Sequence, residues 1–402
     1  MSNPTSSLRT AQRLDGVSEY YFSRKLREIA SLQKSGVEVI NLGIGNPDLL
    51  PPPAVAAAVL GDMTQPGSQG YQSYRGLARW RRALREWYAS TYKVELSDEN
   101  ILPLAGSKEG IVHLSLAMLD PGSAVLYPNP GYPAYAAAAR LAQADALPYP
   151  LPQSDTSPAE WIEHLSRIVE GRDARLLFVN SPHMPTGQVL ERNFLTALVA
   201  FAKTRGIILV SDNAYSYYHP NGPQSMLSLP GAMDVCVELN SLSKSHHMPG
   251  WRLGVLAGSS DVLSAALQVK SNLDSGQWRP LQSAAAVALR APKAWHAEQR
   301  AVIKDRRLFA TSIFRSLGCT VPANQHGLFV WAAIPSEAGG SENFADRLLD
   351  RARVFIPPGT VFGDGGEGFV RLSLCSPKPV LEKASDQLVD AGLTHEPKLN
   401  HQ

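Results

Sequence analysis

The stretch ARLLFVNSPHMPTGQVLERNFLTALVAFAKTRGIILVSD, residues 174–212, decides the fold. Its first seven residues form a β-rich apolar run that stops at the breaker-rich loop SPHMPTG. From Leu190 apolar residues return at helical spacing until Gly206, a residue suited to ending a helix. The run IILVSD, 207–212, comes at once after it. Two continuous apolar strands joined by a helix predict parallel pairing in a sheet covered on both faces. A third run, VCVELNSL at 235–242, extends the pattern and leads directly to Lys244. Asn180, Asp212 and Lys244 are therefore expected just beyond the carboxyl ends of strands, the edge at which open α/β sheets bind ligands.

Working outward, NILPLAGSKEGIVHLSLAML (100–119) predicts a short strand, a turn at Gly106 and a helix starting near Ser107. SAVLYPNPGYPAY (123–135) adds a strand and a Pro-rich loop. Beyond residue 285 come the helical stretch WHAEQRAVIKDRRLFATSIFRSLG and the short strands GLFVWAAI and GFVRLSLC. The expected fold is α/β: a mostly parallel central sheet with helices on both faces, plus a smaller α+β C-terminal lobe. Residues 1–50 are expected to pack on the small lobe, 51–285 to form the large domain and 286–402 the small one.

Composition narrows the function. The chain has 402 residues, 44% of them apolar and 18% charged, which suits a folded protein with a sizeable core. A net charge of +2 without a basic run argues against a nucleic-acid partner. No apolar run approaches the ~20 residues of a membrane span. The opening MSNPTSSLRTAQRL has no apolar signal core, and the three cysteines, Cys236, Cys319 and Cys375, lie far apart without ligand spacing, so a cytoplasmic chain with reduced thiols is expected. His246 and His247 are adjacent but lack further ligands, so no metal is expected. GIGNPD lacks the third glycine of a dinucleotide fingerprint, and no G-K-[ST] marks a P-loop.

The residues at the predicted strand ends form a chemical set. A lysine amine becomes a nucleophile toward carbonyl compounds once its surroundings lower its pKa, and Lys244 stands where that can happen. Ser107 at a helix N-terminus, with Ser241 and Arg252, can hold a phosphate. Asp212 can keep a ring nitrogen protonated, the electronic requirement for using a pyridine as an electron sink. Arg371 on a late strand can grip a carboxylate with its two-toothed fork. The set suits an anionic aromatic aldehyde.

At these residues the sequence resembles the pyridoxal-phosphate-dependent fold-type I aminotransferases of class I/II, the aspartate aminotransferase superfamily. The resemblance runs over nearly the whole chain. It rests on NLGIGNPD (41–48), GYQSYRG (70–76), AGSKEG (105–110), YPNPGYPAY (127–135), NSPHMPTG (180–187), SDNAY (211–215), SLSKSHHMPGWRLG (241–254) and VRLSL (370–374), in the family's order. It implies that Lys244 is the Schiff-base lysine and proton shuttle, that Asp212 faces the pyridine nitrogen and that Tyr215 donates to the ring hydroxyl oxygen. By the same resemblance Tyr132 stacks on the ring, while Ser107, Lys108, Ser241 and Arg252 hold the phosphate. Tyr71 is expected to reach the phosphate of a neighbouring subunit, which implies a homodimer with shared sites. Arg371, the backbone near Ile44 and Gly45, and Asn180 are the expected substrate contacts.

The activity this resemblance implies is ping-pong transfer of an amino group from an L-amino acid to a 2-oxo acid. The same scaffold also serves carbon–sulfur lyases and eliminating enzymes of the aminocyclopropane-carboxylate-synthase kind, which remain the alternative because the motifs do not separate them. The chain departs from the family pattern twice. Met184 stands where N-P-T-G supplies an asparagine that donates to the ring hydroxyl oxygen, and methionine cannot donate. LQVKSN (267–272) lacks the arginine that dicarboxylate-specific members supply there, although Lys108 matches a lysine that some aspartate-using members employ.

Overall fold

The computed structural model describes residues 9–15, 17, 19 and 21–395; residues 1–8 of the expected N-terminal segment and 396–402 of the expected small domain lie outside the described residues. The strands are β1 (Ile40–Asn41), β2 (Ile101–Leu104), β3 (Ser123–Pro128), β4 (Asp145–Tyr149), β5 (Asp173–Asn180), β6 (Ile208–Asp212), β7 (Cys236–Ser241), β8 (Gly254–Gly258), β9 (Phe329–Ala333), β10 (Val354–Phe355) and β11 (Phe369–Ser373). The helices are α1 (Tyr21–Lys34), α2 (Ala54–Met63), α3 (Ala78–Tyr92), α4 (Ser107–Met118), α5 (Ala134–Leu141), α6 (Pro158–Ile168), α7 (Arg192–Arg205), α8 (Leu242–Ser245), α9 (Ser260–Leu273), α10 (Arg279–Ala288), α11 (Lys293–Ser316), α12 (Ser341–Ala352) and α13 (Lys378–Asp390).

Seven strands form the central sheet in the order β2-β8-β7-β6-β5-β3-β4. The run β7-β6-β5-β3-β4 is parallel, and β8 lies antiparallel between β7 and β2. Both faces are covered, which is why the strands read as unbroken apolar runs. Along β5, Leu177 and Val179 join the core that contains Trp80, Trp161, Leu198 and Ala284 of α3, α6, α7 and α10. Their neighbours Leu176 and Phe178 face the opposite core, with Ile111, Ala138 and Leu263 of α4, α5 and α9. The helix α7 ends where expected: Gly206 takes a left-handed φ of 66° and its N–H bonds to the Ala202 carbonyl.

A third core joins α1 to α11, α12 and α13. Phe22 and Ile29 of α1 and Leu42 pack with Phe314 of α11, Leu348 of α12, Leu388 of α13 and the strands β9 and β11. The pairing of β1 with β10 ties residues 40–41 to the same core. Beside it the bidentate pair of Arg306 and Asp48, at 2.6 and 2.9 Å, joins α11 to the segment after β1.

Candidate active site

The antiparallel strand β8 organises the site. Its first residue, Gly254, pairs with Leu104 on one side and with Ser241 on the other. The carboxyl ends of β2 and β7 therefore flank the turn that delivers Arg252. A side chain at Gly254 has no room, since a Cβ there would lie 2.8 Å from the Gly106 carbonyl carbon and 2.9 Å from the Ser107 nitrogen. Gly106 itself takes φ +88°, and its missing side chain is the space the Arg252 guanidinium fills. Arg252 donates to the carbonyls of Pro249, at 3.0 Å, and Ala105, at 3.1 Å. The result is a cup: the N-terminus of α4 with Ser107 and Lys108, the exposed guanidinium of Arg252, and Ser241, whose hydroxyl accepts from the Ser243 amide at 3.2 Å. Burial, and then the Arg252 charge, push the Lys108 amine down. Backbone donors, a helix dipole and two cations make the cup an anion site.

Deeper in, Asp212 ends β6 beside Asn180 of β5. One of its oxygens accepts from the Tyr135 hydroxyl at 2.8 Å, while the other, Oδ1, is buried with no hydrogen-bond partner among the described residues. Burial lifts this carboxyl to about 6, against the opposing hydrogen bonds from Tyr135 and the Ala214 amide. A buried, half-satisfied carboxylate is a place for a protonated nitrogen. Tyr215, half-buried, packs edge-on to Phe329, and burial holds its phenol well above the ordinary range, so it keeps the proton it would donate. Tyr132 packs edge-on to Tyr135, with ring centroids 5.6 Å apart.

Lys244 lies in the short helix α8, directly after β7. Its ammonium donates to the Gly45 carbonyl. Burial lowers its pKa, and the nearby cations Arg371 and Arg252 lower it further, against the Cys375 thiol. Arg371, on β11, donates to the Gly43 carbonyl and, at 3.3 Å, to the Met184 sulfur. Its guanidinium carbon lies 3.9 Å from the ring centre of Phe329, 4.5 Å from that of Phe362 and 5.5 Å from that of Phe22. The segment Gly43–Ile44–Gly45 thus runs between the amine and the guanidinium.

Asn180, expected among the substrate contacts, braces the Met184 loop. Its side chain donates to the Asp212 carbonyl and accepts from the Met184 amide, each at 2.7 Å, so both ends of its amide brace that loop. Tyr71 is 93% exposed. His246 and His247 turn inward with His296 among Trp87, Trp295 and Tyr217, and burial holds all three imidazoles below the ordinary range.

Several contributors escaped the sequence. Tyr135 sits inside the quoted YPNPGYPAY without a sign of its bond to Asp212. Asn129, in the same segment, accepts from the Gly365 amide at 3.1 Å and donates to Asp364, while the Gly131 amide donates to the Phe362 carbonyl at 2.7 Å. The loop bearing Tyr132 is thereby fastened to the loop bearing Phe362. Glu109 and Lys270, behind the cup, carry no mark of their pairing in AGSKEG or LQVKSN.

An anion cup, a buried carboxylate with one open oxygen and a buried amine fit pyridoxal phosphate: the phosphate suits the cup, the pyridine nitrogen suits Asp212 Oδ1, and the aldehyde suits Lys244. Fold and site together define a pyridoxal-phosphate enzyme of the doubly wound transferase type. The chain belongs to the family described as Aminotransferase class I and II, which matches residues 37–388, and it is a pyridoxal-phosphate-dependent aminotransferase. It is 36% identical over 386 residues to the LL-diaminopimelate aminotransferase of Moorella thermoacetica, covering 95% of this chain and 98% of that one. The enzyme of the same name from Desulforudis audaxviator is 37% identical over 383 residues, covering 94% and 96%. Among solved structures, substrate-bound BacF from Bacillus subtilis superposes with a TM-score of 0.87 at 30% identity, covering 95% of this chain and 98% of that one. A single mutant of Thermus thermophilus aspartate aminotransferase gives 0.86 at 26% identity, covering 96% and 100%.

Proposed function

We propose that Lys244, Asp212 and Tyr215 carry the transamination, that Arg371 with the main chain of Ile44 and Gly45 reads the carboxylate of the incoming amino acid, and that Ser107, Lys108, Ser241 and Arg252 hold the cofactor phosphate. The observation that carries this reading is the open, buried oxygen of Asp212 in the same site as the Lys244 amine. Bound there, pyridoxal phosphate supplies a carbonyl that exchanges amines and a pyridinium ring that draws off the electrons left when a Cα proton departs. Lys244 would hold the cofactor through its amine, and that amine, when free, would take the proton from the Cα of the amino acid and pass it to the carbon that carried the aldehyde. Asp212 keeps the proton on the ring nitrogen. Tyr215 would donate to the ring hydroxyl oxygen, and Tyr132 would stack on the ring. Asn180 joins the substrate contacts, steadied by its bonds to the Asp212 carbonyl and the Met184 amide.

Borohydride reduction of the holoenzyme with subsequent peptide mapping tests the central assignment. The added mass should fall on Lys244; a mass on any other lysine would overturn it.

For the donor we propose LL-diaminopimelate, on the strength of relatives of that name that match nearly the whole chain. A panel of LL-diaminopimelate, glutamate, aspartate and aromatic amino acids, each offered with 2-oxoglutarate or pyruvate, should give the highest kcat/KM for LL-diaminopimelate. A higher value for another donor would reassign the substrate. Ammonia release without conversion of the cofactor to its amine form would favour the eliminating alternative, a reaction for which neither diaminopimelate relative is named.

We further infer a homodimer working in the cytoplasm, with Tyr71 reaching the partner's phosphate. The exposed apolar side chains Leu60, Met63, Tyr71 and Leu273 support it, on elements tied together by the Arg279–Asp62 pair and the Gln72–Gly276 bridge. The free thiols of Cys236, Cys319 and Cys375 suit a reducing compartment. The lobes divide near residue 285, with residues up to about 50 belonging to the small one. Sedimentation equilibrium should show a dimer; a fully active monomer would remove Tyr71 from the site.

A further inference from the structure

Lys270 occupies the last turn of α9 and is 1% exposed, which for a lysine demands partners. Its ammonium donates to Glu109 at 2.7 Å and to Asp274 at 2.6 Å. Glu109 stands in the first turn of α4, directly behind the cup. Its second oxygen accepts from the Ala105 amide, and its first also lies 2.7 Å from the His113 ring. The Ala105 carbonyl, in turn, accepts from Arg252. Ala105 is therefore held from behind by Glu109 and from the front by Arg252.

The other arm of Lys270 reaches the same place by a different path. Asp274 opens the turn after α9, and in that turn the Gln277 side chain donates to the Arg252 carbonyl at 2.6 Å. Gly276 between them bridges to Gln72, next to Tyr71. The ligand atoms of Glu109, His113 and Asp274 come within 4.8 Å of one another, the spacing of a metal centre. That reading fails on charge, because the ammonium already bonds to both carboxylates.

We propose that Lys270 is a positioning residue for the phosphate end of the site, locking the start of α4 and the turn that holds Arg252 into one rigid cup. The inference rests on the assignment of Ser107, Lys108 and Arg252 to the phosphate. Without the ammonium, Glu109 and Asp274 repel across a buried gap, and the two halves of the cup lose their common anchor. The loss falls on the phosphate arm of the cofactor and spares the ring.

The test compares two ligands on the full-length chain freed of cofactor: pyridoxal phosphate, and pyridoxal, which lacks the phosphate. Binding is monitored by absorbance for wild type, Lys270→Met, Glu109→Gln and Arg252→Gln. Lys270→Met should weaken pyridoxal phosphate binding about tenfold or more, the scale of a lost hydrogen bond to a charged group, and leave pyridoxal binding unchanged. Equal weakening of both ligands, or of neither, overturns the proposal. Should Lys270→Met not fold, Glu109→Gln is read in its place, since its single amide oxygen accepts from Lys270 or from the Ala105 amide but not from both. Arg252→Gln separates the two layers of inference: if it weakens both ligands alike, the phosphate assignment itself fails. If it singles out pyridoxal phosphate and the Lys270 and Glu109 variants do not, only the positioning role fails.

Discussion

Asp212 gives one carboxylate oxygen to the Tyr135 hydroxyl at 2.8 Å and buries the other with no partner among the described residues. Burial lifts the group from its ordinary 3.8 to about 6, so the folded chain without cofactor holds a proton that the unfolded chain releases. The stability this contributes is complete below the ordinary carboxylate value and is lost as pH rises through about 6. A shift of this size corresponds to about 3 kcal/mol. Urea unfolding of cofactor-free wild type and Asp212→Asn across that window should show the wild type losing ground to the variant; parallel curves would refute the shift.

Tyr135→Phe removes a hydrogen bond to the charged form of Asp212, which is worth about 1.5–3 kcal/mol. The carboxyl should then ionise later, moving the acid limb of the kcat/KM profile up by about one pH unit. An unmoved acid limb would mean that Tyr135 does not tune Asp212.

Lys244→Ala should lower kcat by about 10²–10⁴ or more, the usual worth of a positioned acid–base group. The oxo-acid product of a single donor is the readout. Sustained multiple turnover by the variant would end the assignment of Lys244.

Met184→Asn exchanges a thioether for an amide that can donate to the ring hydroxyl oxygen. The pH midpoint of the bound cofactor's absorbance change should fall by about one unit, since the anionic oxygen gains a donor. Equal midpoints in the two proteins would show that Tyr215 already saturates that oxygen.

Arg306→Met leaves Asp48 without its bidentate partner at the junction of α11 and the segment after β1. Removing one member of a buried pair costs about 3 kcal/mol at the lower end of the usual range, fitting here because the Asp48 side chain keeps 23% exposure. The melting temperature reports it, and an unchanged value would show the pair to be neutral.

The alternation around residues 174–212 was legible because parallel strands buried on both faces must be apolar throughout, and a helix must fill the crossover. Gly106 and Gly206 were legible as turns because the backbone there needs what only glycine adopts freely. The antiparallel β8 was not: GVLAG has no pattern that fixes direction, and direction comes from the pairing of Gly254 with Leu104 and Ser241. Lys270 and Asp274 sit four residues apart at the end of a helix and read as an ordinary surface pair until α4 packs over them. The Phe22 ring near Arg371 is more than three hundred positions away in sequence, and only the packing of α1 on the core of α11, α12 and α13 brings it there.

The bond network around Asn129 ties the segment after β3 to the segment after β10. The loop that carries Tyr132 hangs from Asp364, Gly365 and Phe362, and Phe362 lies against the Arg371 guanidinium. Between the Arg371 guanidinium and the segment that carries Tyr132 stand one aromatic ring, one asparagine and one peptide, so a single short chain of contacts sets both positions.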